Sequence, residues 1–173
     1  MDNIIFVGFT GTGKSTVGKA LAQALGRRHI DLDEAIVEAD GRTIPDIFRD
    51  EGEPFFRQLE SAVLARLLKQ NGLVISTGGG AVLNMENVRR MMESGLVVNV
   101  RAAEEEIVRR LSGFTNRPLL VGDVRERVRK LLKERAGRYD FAPLQIETTG
   151  RDVSAIVEEI IEKMTEVADS RKD

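Results

Sequence analysis

The stretch Gly8-Phe9-Thr10-Gly11-Thr12-Gly13-Lys14-Ser15 decides the fold of this chain. It matches the pattern G-x-x-x-x-G-K-[ST], in which a glycine-rich turn leads into a lysine and a hydroxyl side chain. The glycines allow a tight turn whose N–H groups point inward, and a helix that begins there presents its positive end to the same place. The stretch therefore predicts a loop that cradles nucleotide phosphates, with contacts from Gly11, Thr12, Gly13, Lys14, Ser15 and Thr16.

The flanks of this loop are those that the motif requires. Residues 4–7 form a continuous apolar run, typical of a strand that is covered on both faces. Residues 15–25 have helical spacing and stop before Gly26, which suits the end of a helix. We therefore set aside an incidental glycine-rich turn and predict that Lys14 binds the β- and γ-phosphates and that Ser15 binds Mg²⁺.

Short apolar runs alternate with helical patterns along the rest of the chain, as in parallel sheets built from βαβ units. Further strand candidates are residues 29–32, 73–75, 96–100 and 144–147. We predict an α/β fold, a three-layer α/β/α sandwich around a five-stranded parallel sheet. Pro45 and Pro54 suit the first turns of helices. Residues 153–164 have the pattern of a last amphipathic helix, with frayed residues from 168 to 173.

Composition indicates one globular unit, so we expect a single kinase domain over residues 1–173. The 173 residues are 42% hydrophobic and 31% charged, which is enough apolar material for a core. The formal net charge of −2 does not favour nucleic acid as a partner. The basic stretch at residues 125–138 is interrupted by Glu126 and Glu134, and we interpret it as a solvated helix face.

The absence of cysteine in the sequence excludes disulfides and thiolate metal sites. The first residues lack a basic leader, and no run approaches the roughly 20 apolar residues of a membrane span. We expect a cytoplasmic monomer without membrane or nucleic-acid partners.

The chain lacks the D-x-x-G and N-K-x-D patterns of GTPases, and the run at residues 73–77 ends without a carboxylate. A second Mg²⁺ ligand must then come from elsewhere. Asp31 and Asp33 follow the second strand, at the edge where strand ends of a doubly wound sheet face the ligand. If the strand continues, residues two apart point to the same side. The alternative is a pair of aspartates that cap a helix from Glu34.

A second site is indicated by Gly78-Gly79-Gly80 after a buried strand. Three glycines expose backbone N–H groups and allow a ligand to approach closely, although a plain flexible turn is the competing interpretation. Arg57 has Glu60 three positions on, close enough to pair on one helix face, and an ordinary surface pair remains open. Residues 112–123 have neither strand nor helix spacing, and we predict a mobile surface loop that acts as a lid.

Six short motifs occur in one order along nearly the whole chain. They are residues 8–16, Asp31-Leu32-Asp33, Gly52-Glu53 with Phe56-Arg57, Gly78-Gly79-Gly80, Arg117-Pro118-Leu119-Leu120, and Glu134-Arg135 with Tyr139. In this combination the sequence resembles shikimate kinases, in the P-loop branch similar to nucleoside monophosphate kinases. The resemblance implies transfer of the ATP γ-phosphoryl group to the 3-hydroxyl of shikimate, a step towards chorismate and the aromatic amino acids.

The resemblance also implies roles on the acceptor side, in a shikimate-binding region at about residues 33–60 and beyond it. Asp33 would hold shikimate hydroxyls and assist deprotonation of the attacking one. Arg57 and Arg135 would grip the substrate carboxylate, and Glu60 would orient Arg57. The backbone of the segment Gly78, Gly79 and Gly80 would contact shikimate.

On the donor side the resemblance implies that Ser15 and Asp31 support Mg²⁺, with water between the ion and Asp31. Arg117 would come from the lid to the transferring phosphate, and Arg110 and Arg151 would lie near the adenine. Val153 stands where the family often has a proline beside the adenine, so the details of that contact stay open. Two alternatives also remain: another kinase of this fold, for gluconate or a nucleotide, and a non-catalytic module that binds ATP.

Overall fold

The computed structural model describes residues 2–113 and 121–170, without the side chains of residues 121–123 and 170. Five strands occur in these described residues: β1 (Asn3–Val7), β2 (Arg28–Asp31), β3 (Leu73–Ser76), β4 (Gly95–Arg101) and β5 (Leu144–Glu147). The same residues contain eight α-helices: α1 (Lys14–Leu25), α2 (Leu32–Asp40), α3 (Ile44–Glu51), α4 (Glu53–Leu68), α5 (Met85–Ser94), α6 (Glu104–Ser112), α7 (Val121–Glu134) and α8 (Val153–Ser170). A short 3₁₀ helix covers Ala81–Leu83.

The five strands form one parallel sheet in the order β2-β3-β1-β4-β5. β1 is central and all of its residues are buried, as its unbroken apolar run predicts. Because the strands are parallel, the loops that follow β1, β3 and β2 leave the sheet at the same edge and lie side by side. This edge brings together the phosphate loop, the glycine segment and the two aspartates.

Helices cover both faces of the sheet, which confirms the three-layer arrangement. Alternate residues of β1 point to opposite faces: Phe6 packs with α1 and α8, whereas Ile5 packs with α2, α4 and α5. A third apolar cluster joins Phe9 of the phosphate loop to Ile107 of α6 and Val128 of α7. No helix in the described part of the chain is long and apolar enough to cross a membrane.

Pro45 and Pro54 lie in the first turns of α3 and α4, as predicted. The end of the second strand differs from the prediction: β2 stops at Asp31, and Asp33 belongs to a helix. The cause is local, because the Asp31 carboxylate accepts hydrogen bonds from the backbone N–H groups of Asp33 and Glu34 and so caps α2.

Two further boundaries differ from the sequence analysis. Residues 168–170, expected to fray, are helical, because α8 continues to Ser170 and Val167 packs against the core on that side. Helices occupy both ends of the segment expected as a loop at residues 112–123, since α6 ends at Ser112 and α7 begins at Val121. The rest of that expected lid, residues 114–120 with Arg117, lies outside the described residues.

Candidate active site

The loop between β1 and α1 has the backbone that its glycines permit. Gly11 and Gly13 have φ angles of 80° and 100°, a region that side chains with a Cβ rarely adopt. Gly13 is the N-cap of α1 and supplies no side chain, so the first N–H groups of the helix are left to bind an anion. The loop is therefore a phosphate site made of backbone.

Lys14 is the first residue of α1, and its side chain is buried in this loop. Its Nζ atom donates hydrogen bonds of 2.8 Å to the carbonyl oxygens of Gly8 and Phe9. Burial lowers the pKa of the Lys14 ammonium to about 8, and the charge of Arg135 acts in the same direction. The carboxylates of Asp33 and Asp31 oppose this shift.

Asp31 uses its two oxygens for two different tasks. Oδ1 caps α2, and Oδ2 accepts a 2.5 Å hydrogen bond from the Ser15 hydroxyl. The structure confirms that Asp31 caps a helix, and its carboxylate also faces the phosphate loop, while its role as a Mg²⁺ ligand stays a prediction. The Ser15 and Asp31 oxygens form a small site of the kind that Mg²⁺ uses, since this ion needs few protein ligands and keeps several waters.

Asp33 lies in the first turn of α2 and faces the glycine segment. A methyl group on Gly78 would lie 3.2 Å from the Asp33 Oδ1 atom. Burial raises the pKa of the Asp33 carboxyl, and the negative charge of Asp31 adds to the effect. Asp33 is thus a carboxylate with increased proton affinity beside Lys14, in the helix that follows the second strand.

Arg57 and Glu60 form an ion pair on α4, with 2.8 Å between Nη1 and Oε1. It is not an ordinary surface pair, because Glu60 is only 1% exposed. Burial raises the pKa of the Glu60 carboxyl, and its hydrogen bond to Arg57 opposes this. The Arg57 guanidinium also lies 5.2 Å from the centre of the Phe56 ring, so its position is fixed from two sides.

Each glycine of the segment Gly78–Gly80 lies against a side chain of the site. Gly78 faces Asp33, a methyl group on Gly79 would lie 3.0 Å from Arg135 Nη1, and one on Gly80 would lie 2.6 Å from Arg57 Cζ. The sequence predicted that these glycines leave room for a ligand. In the structure, Asp33, Arg135 and Arg57 lie against these glycines, and contact of the glycine backbone with a ligand stays a prediction.

Arg135 directly follows α7, and its guanidinium lies 5.9 Å from the centre of the Phe9 ring. Tyr139, from the turn beyond it, donates a 2.6 Å hydrogen bond to the carbonyl oxygen of Gly79. Burial raises the pKa of the Tyr139 hydroxyl, while Arg135 acts to lower it. No role for Tyr139 or Phe9 could be predicted from the sequence, because both contacts join segments that are distant in the chain.

Arg110 and Arg151 have different surroundings. Arg110 pairs with Glu106, and its Nη1 atom lies 3.2 Å from the Gly11 carbonyl oxygen, so this arginine borders the phosphate loop. Arg151 is held 2.9 Å from the Glu147 carbonyl oxygen and 2.5 Å from Glu159 of α8. The structure therefore brings Arg110 to the loop, whereas the contacts of Arg151 are with β5 and α8.

Sequence reasoning also missed His29 and Ser76, which meet beside the first turn of α1 with 2.9 Å between Nε2 and Oγ. A signal for this contact does exist in the sequence. Gly18 lies inside α1, where glycine costs about 1 kcal/mol relative to alanine, and an interior helical glycine often marks a close approach.

A phosphate loop beside a partly buried carboxylate and two arginines is typical of an ATP-dependent phosphotransferase, a P-loop kinase that acts on a small molecule. A family model described as shikimate kinase matches residues 10–165 of the chain. The chain therefore belongs to the shikimate kinase family, and ATP is its co-substrate. This result favours the family resemblance over the alternatives of a different small-molecule kinase and of a non-catalytic module.

Individual relatives agree with the family model. A shikimate kinase of Pelotomaculum thermopropionicum is 44% identical over 167 residues, which cover 96% of this chain and 97% of that protein. One of Geobacter metallireducens is 46% identical over 159 residues, with 91% and 89% covered. The solved structure of shikimate kinase from Acinetobacter baumannii in complex with shikimate matches with a TM-score of 0.88 at 38% identity, covering 96% of this chain and 94% of that one.

Proposed function

We propose that the chain transfers the γ-phosphoryl group of ATP to the 3-hydroxyl of shikimate, giving shikimate 3-phosphate and ADP. The observation that carries this proposal is the convergence at the glycine segment. Asp33, Arg57 and Arg135 each lie against a different glycine of Gly78–Gly80, at the edge of the sheet that also holds Lys14. Two cations and one carboxylate suit an acceptor with a carboxylate at one end and hydroxyls at the other.

On the acceptor side, Arg57 and Arg135 bind the shikimate carboxylate. A planar guanidinium matches a carboxylate with two parallel hydrogen bonds, and Glu60 and the Phe56 ring keep Arg57 from turning away. The backbone of Gly79 and Gly80 lies directly beneath the two arginines, where it contacts the bound ring. Shikimate is then held by groups that are already in place before it binds.

Asp33 accepts the proton of the attacking hydroxyl. Its burial raises the pKa of the carboxyl, which makes the carboxylate a stronger base than a solvated aspartate. The hydroxyl oxygen forms its bond to the γ-phosphorus as the bond to the β-phosphate oxygen breaks, and the proton moves to Asp33. Most of the rate enhancement comes from positioning and from charge stabilisation.

On the donor side, the N–H groups of the phosphate loop and Lys14 bind the phosphates. Lys14 leaves the carbonyl oxygens of Gly8 and Phe9 to do so, and it then stabilises charge on the transferring group. Arg110 borders the nucleotide from α6, and Arg151 is assigned to the adenine region on the resemblance. Arg117 is assigned to the transferring phosphate on the resemblance alone.

The Ser15 hydroxyl and the Asp31 carboxylate are the groups that would hold Mg²⁺, Asp31 through water. Their oxygens are 2.5 Å apart next to the loop, and hard oxygen ligands of this kind suit the ion. When bound, Mg²⁺ neutralises charge on the β- and γ-phosphates. We also propose that the protein is a monomer with a single kinase domain and acts in the cytoplasm, as expected from the sequence.

A coupled assay of ADP release tests this function. With ATP and Mg²⁺ we expect turnover that depends on shikimate, and formation of shikimate 3-phosphate seen by ³¹P NMR. Met92→Ala, at an exposed position on α5, is the matched control and should retain full activity. Turnover with gluconate or a nucleoside monophosphate but not with shikimate would overturn the proposal, and ATP binding without transfer to any acceptor would indicate a non-catalytic module.

A further inference from the structure

His29 on β2 and Ser76 on β3 lie beneath the first turn of α1, outside the set of residues assigned above. The Ser76 hydroxyl is 1% exposed and donates a 3.1 Å hydrogen bond to the Lys14 carbonyl oxygen. The Nε2 atom of His29 lies 2.9 Å from the same hydroxyl oxygen. A hydroxyl carries one proton, so a Ser76 that donates to Lys14 must accept a hydrogen bond from His29.

The Lys14 carbonyl belongs to the same peptide group as the Ser15 N–H. In a trans peptide these two groups point in opposite directions, so a donor that holds the carbonyl also aims the N–H. The Ser15 N–H is one of the first amides of α1, which have no partner inside the helix and face the phosphate site. A continuous series of hydrogen bonds therefore connects the imidazole, through the Ser76 hydroxyl and one peptide group, to the phosphate site.

Such a chain is stronger than its separate bonds, because each hydrogen bond polarises the next one in a site of low dielectric. β2 also contacts the same turn of α1 a second time, two residues further on, where Asp31 accepts from the Ser15 hydroxyl. His29 and Asp31 lie on the same face of the strand, since residues two apart in a strand share a face. One strand thus fixes both the backbone and the side chain of the phosphate-binding turn.

Gly18 makes this contact possible. A methyl group at this position would lie 2.5 Å from Ser76 Oγ and 2.9 Å from His29 Nε2. Gly18 has ordinary helical backbone, so conformational freedom is not the reason for a glycine here. It is the space above its Cα atom that lets the imidazole and the hydroxyl meet.

From these contacts we propose that His29 is a positioning residue for nucleotide binding, acting through Ser76 on the Ser15 N–H. The proposal rests on the proposed function, in which this turn binds the phosphates of ATP. It requires the imidazole to carry its proton on Nε2. It also requires that loss of these hydrogen bonds weakens ATP binding and leaves shikimate binding intact, because Asp33, Arg57 and Arg135 do not contact His29 or Ser76.

The tautomer can be measured directly, because His29 is the only histidine of the sequence. In ¹⁵N-labelled protein without a histidine tag, long-range ¹H–¹⁵N spectra show one imidazole, and we expect the Nε2–H form. Addition of MgADP should shift the Nε2–H proton signal, and addition of shikimate alone should not. The Nδ1–H form, or a signal that does not respond to MgADP, would overturn the proposal.

Variants then test whether this series of hydrogen bonds contributes to ATP binding. His29→Phe keeps an aromatic ring but no donor, and we expect the KM for ATP to rise about fivefold, the effect of one hydrogen bond. His29→Gln retains a side-chain N–H and should restore part of the loss. The Kd for shikimate without nucleotide should stay unchanged. Arg28→Gln, an exposed residue next to His29 on β2, is the matched control and should match the wild type.

Ser76→Ala should raise the KM for ATP as much as His29→Phe does. The double variant should have no higher KM than either single variant, because the two residues act through the same series of hydrogen bonds. Equal weakening of ATP and shikimate binding would mean that His29 only supports the fold, and would overturn the proposal. If the variants do not fold, the tautomer of His29 in the wild type and its response to MgADP still test the proposal. A wild type without shikimate-dependent turnover would instead refute the proposed function and leave the tautomer result unaffected.

Discussion

The donor and acceptor halves of the site are built from different parts of the polypeptide. The donor half is built mainly from backbone: the eight residues 8–15, which include the start of α1, direct N–H groups at the phosphate site. The acceptor half consists of side chains from α2, α4 and the end of α7, which meet over three glycines of the loop after β3. The donor half is therefore centred on one continuous loop that neighbouring strands support, whereas the acceptor half depends throughout on how separate segments pack.

Replacement of Lys14 should give the largest effect and should be confined to the donor half. Lys14→Met removes the buried cation that stabilises the transferring phosphate, and loss of one such group costs about 10²–10³-fold in kcat. The Kd for shikimate, measured by calorimetry without nucleotide, should remain near the wild-type value. A variant with wild-type kcat would show that the loop binds phosphate without taking part in transfer.

Replacement of Arg135 tests the acceptor half in the same way. Arg135→Ala should weaken shikimate binding by about 2–5 kcal/mol, because the substrate carboxylate loses a charged partner in a partly buried site. The KM for ATP should change little. Unchanged shikimate affinity in calorimetry would remove Arg135 from the substrate site and would leave Arg57 as the carboxylate ligand.

Two glycine substitutions contrast the halves most directly. Gly80 has ordinary backbone angles, so Gly80→Ala acts only by pushing the Arg57 guanidinium aside, and we expect shikimate binding to weaken by about 1–3 kcal/mol. A methyl group on Gly13 would make only an ordinary contact of 3.6 Å with Arg110 Nη1, but the φ of 100° means that Gly13→Ala strains the backbone and should raise the KM for ATP. Steady-state kinetics with each substrate varied in turn separates the two effects. Equal effects on both substrates in either variant would contradict this division.

The pH dependence of ATP capture follows from Lys14. The pKa of its ammonium is about 8, and the charged form binds phosphate, so kcat/KM for ATP should fall as the pH rises through that value. The decrease should approach tenfold per pH unit above it, because kcat/KM reports the free enzyme. Initial rates between pH 6 and 10 at low ATP measure this profile. A profile that is flat to pH 10 would show that burial does not lower the Lys14 pKa.

The smallest effects are expected at Asp31, where capping and metal binding can be separated. Asparagine caps helices about as well as aspartate, so Asp31→Asn should keep the thermal stability and raise the Mg²⁺ concentration needed for half-maximal rate. Asp31→Ala should show the same Mg²⁺ effect and also lose about 1 kcal/mol of stability. An Asp31→Asn variant with wild-type Mg²⁺ dependence would limit Asp31 to its role as a cap.

The two halves also differ in how far the sequence predicts them. The phosphate loop could be identified residue by residue, because its constraints act between neighbours in the chain. The central strands and the first turns at Pro45 and Pro54 were predicted for the same reason. The sequence left open whether Asp33 continues the strand or begins a helix, because the two cases look alike in sequence, and the structure shows the helix.

The acceptor half could be predicted only as a set of residue types. The deep burial of Glu60, the hydrogen bond from Tyr139 to Gly79 and the contact of Arg57 with Gly80 depend on the packing of helices over the sheet edge. Periodicity and local motifs contain no information on such contacts. The resemblance to a family implied roles for Arg57, Glu60 and the glycines but none for Tyr139, and the structure adds the physical reason for their geometry.

The glycine segment has a consequence for how this enzyme can change by mutation. Each of its three positions lies against a different charged side chain of the site: Gly78 against Asp33, Gly79 against Arg135, with Thr10 equally close, and Gly80 against Arg57. A side chain at one of them requires that its neighbours move or change, so the restriction is epistatic and links residues that are far apart in the sequence. Variants with altered acceptor specificity should therefore arise in pairs, one change in the loop and one in the residue above it.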